Sequence, residues 1–431
     1  MKDRSFAAKL PDLSSFLEYS IWGIVFCLPF SKSLSEGFII LAIALFAVQK
    51  LKDGRLRVKK SPIFLGLFLY LSVNLLSVFW SVDPSLSLKA LITKVLKYII
   101  LFYIIYDFID SEVKVKRLLA VILASVLLIT INGFIQQYIT GFDLLHKYPT
   151  FKYITYSDGK FPTYRQFAFM LSPAERGYVT SSFPFPNDYS SWIITILPMF
   201  IALSFFDLKK EKIYARISAY ASLAFLGCSL FLTKTRGAWI AFFIGILFLS
   251  IARSKKLVIW FFLIAVMFYL IMPLHIKDAL KSKLSFRDRM DMWGISVEMI
   301  KDRPLRGFGL NTYFNNYKIY RRDTDKYERG SYAHNCYLQQ TADVGIPGLL
   351  IFLYLLSSIF WYSYCGIRNM KDSFYSSCSL GIAAGLLNFC VYAFVDTNFY
   401  SLPLVTLFWF MTGFLFSVIN VYEKMPCKPL L

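Results

Sequence analysis

The sequence predicts an all-α, polytopic integral membrane protein with about 12 transmembrane helices and two long outer loops. Hydrophobic residues make up 57% of the chain and charged residues only 17%, whereas soluble domains are roughly half apolar and a quarter charged. Apolar runs recur along the whole length, and a helix satisfies its own backbone hydrogen bonds where lipid offers none. The predicted fold is therefore a single membrane domain over residues 1–431.

Each predicted helix corresponds to one apolar run, and roughly 17 to 25 such residues are enough to cross the hydrocarbon core. The first two runs are short, and treating them as a re-entrant hairpin leaves the predicted orientation unchanged. In chain order the runs are Phe16 to Phe30, Phe38 to Val48, Pro62 to Trp80, Leu88 to Phe108, Leu118 to Ile139, Tyr189 to Phe206, Tyr214 to Leu232, Ala238 to Ile251, Leu257 to Leu274, Gly345 to Cys365, Phe374 to Val395 and Leu402 to Val421.

The distribution of basic residues predicts which side of the membrane each loop faces. The net charge is +20. The N-terminus, alternate short loops and the C-terminal tail carry 22 basic residues, and the intervening short loops carry three. Because cytoplasmic loops are enriched in Lys and Arg, both termini are predicted to be cytoplasmic, with residues 140–188 and 275–342 forming outer loops. This uneven distribution favours a membrane protein over one that binds nucleic acid.

The second outer loop is predicted to contain an amphipathic helix on the outer membrane surface. Met290, Trp293, Val297 and Ile300 recur at helical spacing, and Pro304 should end the helix. Packing against other helices is the alternative explanation of this spacing.

The first outer loop ends in an aromatic and Pro-rich segment, residues 182–188. Its composition indicates ordered irregular chain that caps the next helix through Asn187 or Asp188. The segment is interpreted either as a lid or as a spacer.

Two cations lie where positive charge is otherwise avoided. Lys234 and Arg236 occupy residues 233–239, a turn between two apolar runs on the predicted outer side. A cation at a helix centre costs about 2.5 to 3.5 kcal/mol on insertion scales, so its retention indicates an anionic partner; snorkelling to phospholipid phosphate is an equal alternative. Arg289, or its neighbour Arg287, can supply a second cation, and the planar guanidinium fork suits a diphosphate.

Two lysines of the fourth predicted helix also have two alternative interpretations. Lys94 and Lys97 occupy adjoining positions of one face in its outer half. Such lysines either line a groove for lipid headgroups or form a structural pair, and the structural explanation is favoured.

Residues 331–338, Ser-Tyr-Ala-His-Asn-Cys-Tyr-Leu, close the second outer loop and contain His334, one of three histidines. Histidine changes charge near neutral pH, so His334 is a candidate general base at the lipid boundary, with a hydrogen-bonded structural role as the alternative. Asn335 is an accessory candidate, and Cys336 is interpreted as a packing residue rather than a nucleophile. Because the three histidines are scattered, neither a metal site nor a cofactor is expected.

Three segments occur in order on the predicted outer side. They are residues 235–239 (Thr-Arg-Gly-Ala-Trp), residues 289–309 (Arg-x-x-x-Trp through Pro-x-x-Gly-x-Gly) and residues 333–348 (Ala-His-Asn-x-Tyr-Leu followed by Gly-Ile-Pro-Gly). Together they resemble the O-antigen ligase and polymerase superfamily of bacterial surface-polysaccharide enzymes, with Thr235 where serine is usual. The resemblance is strongest over residues 232–355.

The resemblance implies an inverting, metal-independent glycosyltransferase at the periplasmic face of the bacterial inner membrane. Its donor would be a glycan linked to undecaprenyl diphosphate, His334 the general base, and Arg236 and Arg289 the diphosphate-binding cations. An O-antigen ligase, with lipid A-core as acceptor, is the favoured member.

Three other functions remain open at this point. A polymerase of O-antigen or exopolysaccharide would use the same donor with a second carrier-linked glycan as acceptor. A protein O-oligosaccharyltransferase and a polysaccharide transporter rank lower. A transporter would concentrate its polar residues in broken helices at mid-membrane rather than in outer loops.

Overall fold

The structure of the chain is a computed structural model that describes residues 12–52, 54, 60–145, 147, 150, 177–204, 213–271, 284–321, 332–371 and 373–425. Every regular element in these ranges is a helix, so the predicted all-α fold is confirmed. The predicted outer loops, residues 140–188 and 275–342, are each described in part.

The first part of the chain folds into helices that pack side by side. The fourth of them continues through a wider π-helical turn, Leu91–Leu96, into the fifth, and the sixth continues through a similar turn, Gln136–Thr140. The α-helices are α1 (Leu13–Cys27), α2 (Lys32–Lys52), α3 (Phe64–Phe79), α4 (Pro84–Ala90), α5 (Lys97–Phe108), α6 (Glu112–Ile135), α7 (Pro186–Ser204) and α8 (Ile213–Leu232).

The second part contains the segments that carry the three motifs. Its longest helix is broken at Gly345, where φ is +82° and the backbone leaves the helical region. Short 3₁₀ turns occur at Tyr317–Tyr320 and Asn398–Tyr400. The α-helices are α9 (Arg236–Arg253), α10 (Lys255–Ile271), α11 (Leu284–Asp302), α12 (Tyr313–Asn316), α13 (Cys336–Ile367), α14 (Ser373–Tyr392) and α15 (Leu402–Glu423).

Among the described residues, six helices are long and apolar enough to cross a membrane. Three further apolar helices are shorter: Leu13–Cys27, Phe64–Phe79 and Arg216–Leu232. The chain is thus a multi-pass helical membrane protein, while the count of about 12 spans remains a prediction. The six are Lys32–Lys52, Glu112–Thr140, Arg236–Arg253, Cys336–Ile367, Phe374–Tyr392 and Leu402–Glu423.

The helix α15 lies at the centre of the bundle, since nearly all of its residues are buried. Its neighbour α14 packs tightly on α7, because Gly381 and Gly385 place no side chain between the two backbones; a Cβ at Gly381 would lie 2.5 Å from the Cα of Met199. Such small-residue contacts are typical of membrane helices, whose association depends on close van der Waals packing. This packing fixes the ends of α14 and α15, which carry the turn described below.

The predicted amphipathic helix is present as α11 and ends at Asp302, two residues before Pro304. Its buried face differs from the predicted one. Met292, Ile295 and Met299 are buried, whereas Met290 and Val297 of the predicted stripe are 47% and 39% exposed. The physical reason is that the chain after the helix folds back and packs Phe308, Tyr313 and Tyr317 on the first set.

The end of the first outer loop is tied to α6. The Gln136 Oε1 accepts hydrogen bonds from the backbone N–H groups of Thr180 and Ser181, at 3.0 and 2.8 Å. The following helix begins at Pro186, so Asn187 and Asp188 lie in its first turn and neither occupies the predicted capping position.

Candidate functional site

The turn at residues 393–397, between α14 and α15, holds a buried carboxylate. Asp396 is 8% exposed. Its Oδ2 accepts a 2.8 Å hydrogen bond from the Tyr392 hydroxyl, and its Oδ1 accepts a 2.7 Å bond from the Thr397 N–H. Both oxygens are thereby oriented, so the carboxylate has a fixed position at this end of the bundle. We name this end the outer end, after the predicted orientation.

His334 faces this carboxylate. Its Nδ1 lies 3.7 Å from Asp396 Oδ1, which is an ion-pair distance and longer than a hydrogen bond. The Nδ1 atom is buried, although the side chain as a whole is 43% exposed. The accessible part of the imidazole therefore lies on the edge away from Asp396, where Nε2 is located. A small closure would bring Nδ1–H into hydrogen-bond distance and leave Nε2 as the outward-facing acceptor.

The charges around Asp396 keep it ionised. Burial raises the pKa of this carboxyl, but the nearby imidazole of His334, the charge of Arg289 and the Thr397 N–H together lower it below its ordinary value. An ionised Asp396 can orient the imidazole and stabilise the imidazolium that forms when His334 accepts a proton.

The backbone of His334 is held in a rarely used conformation. Its φ is +47°, in the left-handed region that costs a non-glycine residue roughly 1 kcal/mol. Histidine adopts this region more often than bulky residues do, and such conformations concentrate at functional sites.

The residues on either side of His334 are fixed by hydrogen bonds. Gln339 Oε1 accepts from the Ala333 N–H at 3.2 Å, and the Cys336 N–H donates to the Ala393 carbonyl at 2.8 Å. Asn335 is the N-cap of α13, and its Oδ1 accepts from the Tyr337 and Leu338 N–H groups at 3.0 and 3.1 Å. The structure thus gives this predicted accessory residue a capping role.

Arg236 reaches the same turn because of the glycine beside it. It is the first residue of α9, and a Cβ at Gly237 would lie 2.9 Å from Val395 Cγ2 and 3.1 Å from the Tyr392 ring. Only glycine allows α9 to approach the 393–397 turn this closely. The Arg-Gly motif therefore combines a cation with the contact that places it.

Lys234 precedes this helix in a left-handed conformation, with φ of +50°. Its ammonium lies 5.5 Å from the centre of the Tyr178 ring, at the end of the first outer loop. Burial lowers the pKa of Lys234. The predicted accessory cation therefore belongs to the junction of the first outer loop with the α8–α9 turn.

Arg289 approaches from α11. It is half-buried, and its charge contributes to the lowered pKa of Asp396. One helical turn later, Trp293 Nε1 donates to the His334 carbonyl at 3.4 Å. The side chain of Arg287 lies outside the described residues. His334 and the charge of Arg289 therefore act on a carboxylate that the sequence prediction did not include, and the helix that begins at Arg236 contacts the same turn.

The sequence prediction did not include Asp396, because it interpreted the short loops from their Lys and Arg residues alone. The signal was present: Asp396 is an acidic residue in the short connection between two strongly apolar runs. Asp188 is a second missed carboxylate at this end. It interacts electrostatically with Asp396 and with Lys32 of α2.

Among the described residues there is no group of three His, Cys, Asp or Glu side chains that could hold a metal ion. The described site contains a half-exposed imidazole next to a carboxylate, the nearby charge of Arg289, and Arg236 at the start of a helix that contacts the same turn. Such a set can accept a proton and bind an anion.

Fold and site together define a multi-pass helical membrane protein with a histidine–carboxylate pair at one end. Residues 221–353 match the family model described as O-Antigen ligase. The matched region contains Arg236, Arg289 and His334 and ends before α14, so Asp396 lies outside it. The predicted resemblance to the O-antigen ligase superfamily is thereby confirmed. No curated protein matches the chain.

Proposed function

We propose that this protein is an O-antigen ligase: a glycosyltransferase that moves a glycan from undecaprenyl diphosphate to lipid A-core. The observation that carries the proposal is the His334–Asp396 pair with the charge of Arg289 near it, at the turn that the helix beginning at Arg236 contacts. The family match to residues 221–353 supports the general type of activity.

The proposed reaction is a direct displacement at the anomeric carbon. His334 Nε2 takes the proton of an acceptor hydroxyl, and the oxygen attacks the anomeric carbon from the face opposite the diphosphate. The bond from that carbon to the diphosphate oxygen breaks as the new glycosidic bond forms, which inverts the anomeric centre. The electron pair leaves with undecaprenyl diphosphate, and the proton on His334 then passes to water.

The two arginines act on the leaving group. Negative charge increases on the diphosphate as its bond to the sugar breaks, so cations placed there stabilise the transition state more than the bound donor. Arginine suits this role because it stays charged and can donate two parallel hydrogen bonds. The charge developing on His334 is balanced by Asp396, which also selects the tautomer with its proton on Nδ1.

We place the site at the periplasmic face of the bacterial inner membrane, with both termini cytoplasmic, on the basis of the distribution of basic residues. A donor anchored in lipid needs a site at the membrane boundary, and His334 lies at the start of a helix long enough to span the membrane.

The test is a transfer assay with purified protein in lipid nanodiscs, offered an undecaprenyl diphosphate-linked glycan. Lipid A-core and a second carrier-linked glycan are supplied separately as acceptors. We expect glycosylated lipid A-core with wild-type protein and a loss of about 10²- to 10⁴-fold in rate with His334→Ala. Arg236→Lys should also reduce the rate despite its preserved charge, whereas Arg253→Lys, at the far end of α9, should not.

Each outcome distinguishes a hypothesis. Elongation of carrier-linked glycan with no product on lipid A-core would replace ligation by polymerisation. Undiminished transfer by His334→Ala would exclude this residue as the base, and an unaffected Arg236→Lys would mean that Arg236 simply contacts lipid phosphate.

A further inference from the structure

The left-handed backbone of His334 needs constraints, because an L-residue returns to a right-handed conformation when nothing prevents it. The constraints on neighbouring residues come from α13 itself and from the 393–397 turn: the Ala333 N–H is held by Gln339, and the Cys336 N–H by the Ala393 carbonyl. For the carbonyl of His334 itself, the partner is the indole N–H of Trp293 at 3.4 Å.

Trp293 is placed differently from the residues that pack α11. The buried core beside this helix consists of Met292, Ile295 and Met299 with their partners, and the half-buried Trp293 is not part of it. Its indole instead points to the segment before α13. The hydrogen bond to the peptide group of His334 therefore joins α11 to the segment before α13.

Trp293 also lies four residues after Arg289, so the two side chains share one face of α11. One of them directs its charge to Asp396, and the other holds the backbone of the residue that faces Asp396. A shift of α11 would move both contacts together. The helix α11 therefore determines the position of Arg289 relative to His334.

We propose that Trp293 is a positioning residue for His334: its indole N–H locks the left-handed backbone that directs the imidazole toward Asp396, and it couples this geometry to Arg289. The inference rests on the proposed function, since positioning matters for transfer only if His334 is the base. It predicts a loss in turnover rather than in donor binding, because a misplaced base weakens the chemical step.

The experiment compares Trp293→Phe, which removes the N–H and keeps an aromatic ring, with Trp80→Phe. Trp80 is a matched control, because its indole N–H donates to another backbone carbonyl, that of Arg306, at 2.7 Å. For Trp293→Phe we expect kcat to fall at least about tenfold with KM for the donor within about twofold. Trp80→Phe should change kcat less than about twofold.

Two further measurements separate positioning from general damage. Hydrogen exchange of the amides at residues 333–336 should accelerate in Trp293→Phe and not in Trp80→Phe. This measurement does not depend on activity. Trp293→His, which retains a ring N–H, should recover part of the lost kcat per folded molecule.

Unchanged exchange and unchanged kcat in Trp293→Phe, with active wild-type protein, would overturn the positioning role and leave the proposed function intact. If exchange accelerated in Trp293→Phe but the wild-type protein transferred no glycan, the positioning contact would stand and the proposed function would be contradicted.

Discussion

The outer end of the molecule contains two buried carboxylates with opposite roles. Asp396 faces a half-exposed histidine, and one of its oxygens is bound by a tyrosine hydroxyl. Asp343, in the outer segment of α13, is fully buried; its Oδ1 accepts from the Tyr313 N–H at 2.9 Å. The partners of Asp396 are mainly side chains, whereas those of Asp343 are mainly backbone groups.

The surroundings of Asp343 connect two parts of the structure. The Gly309 N–H donates to the Asp343 carbonyl at 2.8 Å, and Lys94 Nζ donates to Asn311 Oδ1 at 2.6 Å. The chain after α11 is thus joined both to α13 and to the π-helical turn of residues 91–96. The favoured structural role of Lys94 agrees with this contact, and Lys97 forms an ion pair with Glu36 at 2.8 Å.

We expect the exposure of the basic partner to separate the two carboxylates. A carboxylate beside an accessible imidazole can influence a proton transfer, whereas a buried carboxylate bound mainly by backbone N–H groups is placed to hold the chain. Asp343 follows His334 by 9 positions and Asp396 by 62, so the carboxylate that faces the imidazole is the one more distant in sequence.

The largest expected effect is on catalysis, from Asp396→Asn. The amide cannot balance the imidazolium and permits the wrong tautomer of His334, so we expect glycan transfer to fall by about 10²-fold or more. The loss should remain when the rate is expressed per folded molecule. The rate is measured in the nanodisc assay, with Asp110→Asn, at the opposite end of the bundle, as control. A loss of less than threefold would make Asp396 a structural carboxylate like Asp343.

The next effect is on stability, from Asp343→Ala. Removing this carboxylate leaves buried N–H groups without their acceptor and the Lys94 ammonium without a nearby negative charge. The loss should lower the free energy of unfolding by about 3 kcal/mol. Transfer per folded molecule should remain near wild type. Thermal unfolding and active-fraction measurements check this. If transfer collapsed in a protein that melted normally, Asp343 would belong to the chemistry and the contrast would fail.

A smaller effect is expected from Gly237→Ala. The added methyl group would press on Val395 and Tyr392 and displace Arg236 from the 393–397 turn, so transfer should fall roughly tenfold. Gly227→Ala is the matched control, because a Cβ there meets nothing within 4 Å. Equal activities of the two variants would show that close approach of α9 is not required.

The pH dependence should be modest. Because the pKa of Asp396 is lowered in the folded protein, its ionised form stabilises the fold above the unfolded pKa of about 3.9 and loses this contribution as pH falls through the folded pKa. The difference in melting temperature between wild type and Asp396→Asn should be constant from about pH 5 to 8 and shrink below about pH 4. A difference that changed between pH 6 and 7 would assign the stabilisation to another group.

The sequence predicted the helical membrane fold because apolar runs and backbone hydrogen bonding leave few alternatives in lipid. It also selected His334, Arg236 and Arg289, whose motifs the structure brings to one turn. The pairing with Asp396 could not be derived, since it depends on how α13, α14 and α15 pack. The same limit explains the face of α11: the Met290 pattern and the Met292 pattern are both helical, and only the folded-back chain decides which is buried.

The interruption of α13 at Gly345 divides this helix into two segments. The segment before it, which begins beside His334, is held by protein contacts: the Phe308 N–H donates to the Ala342 carbonyl at 3.0 Å, and the Gly309 N–H donates to the Asp343 carbonyl at 2.8 Å. The longer segment after it can tilt to match the thickness of the lipid. We therefore expect the transfer rate to vary less than about twofold between bilayers of short and long acyl chains, as a series of nanodiscs would measure. The break in α13 would then let the protein keep the geometry around His334 while the thickness of the membrane changes.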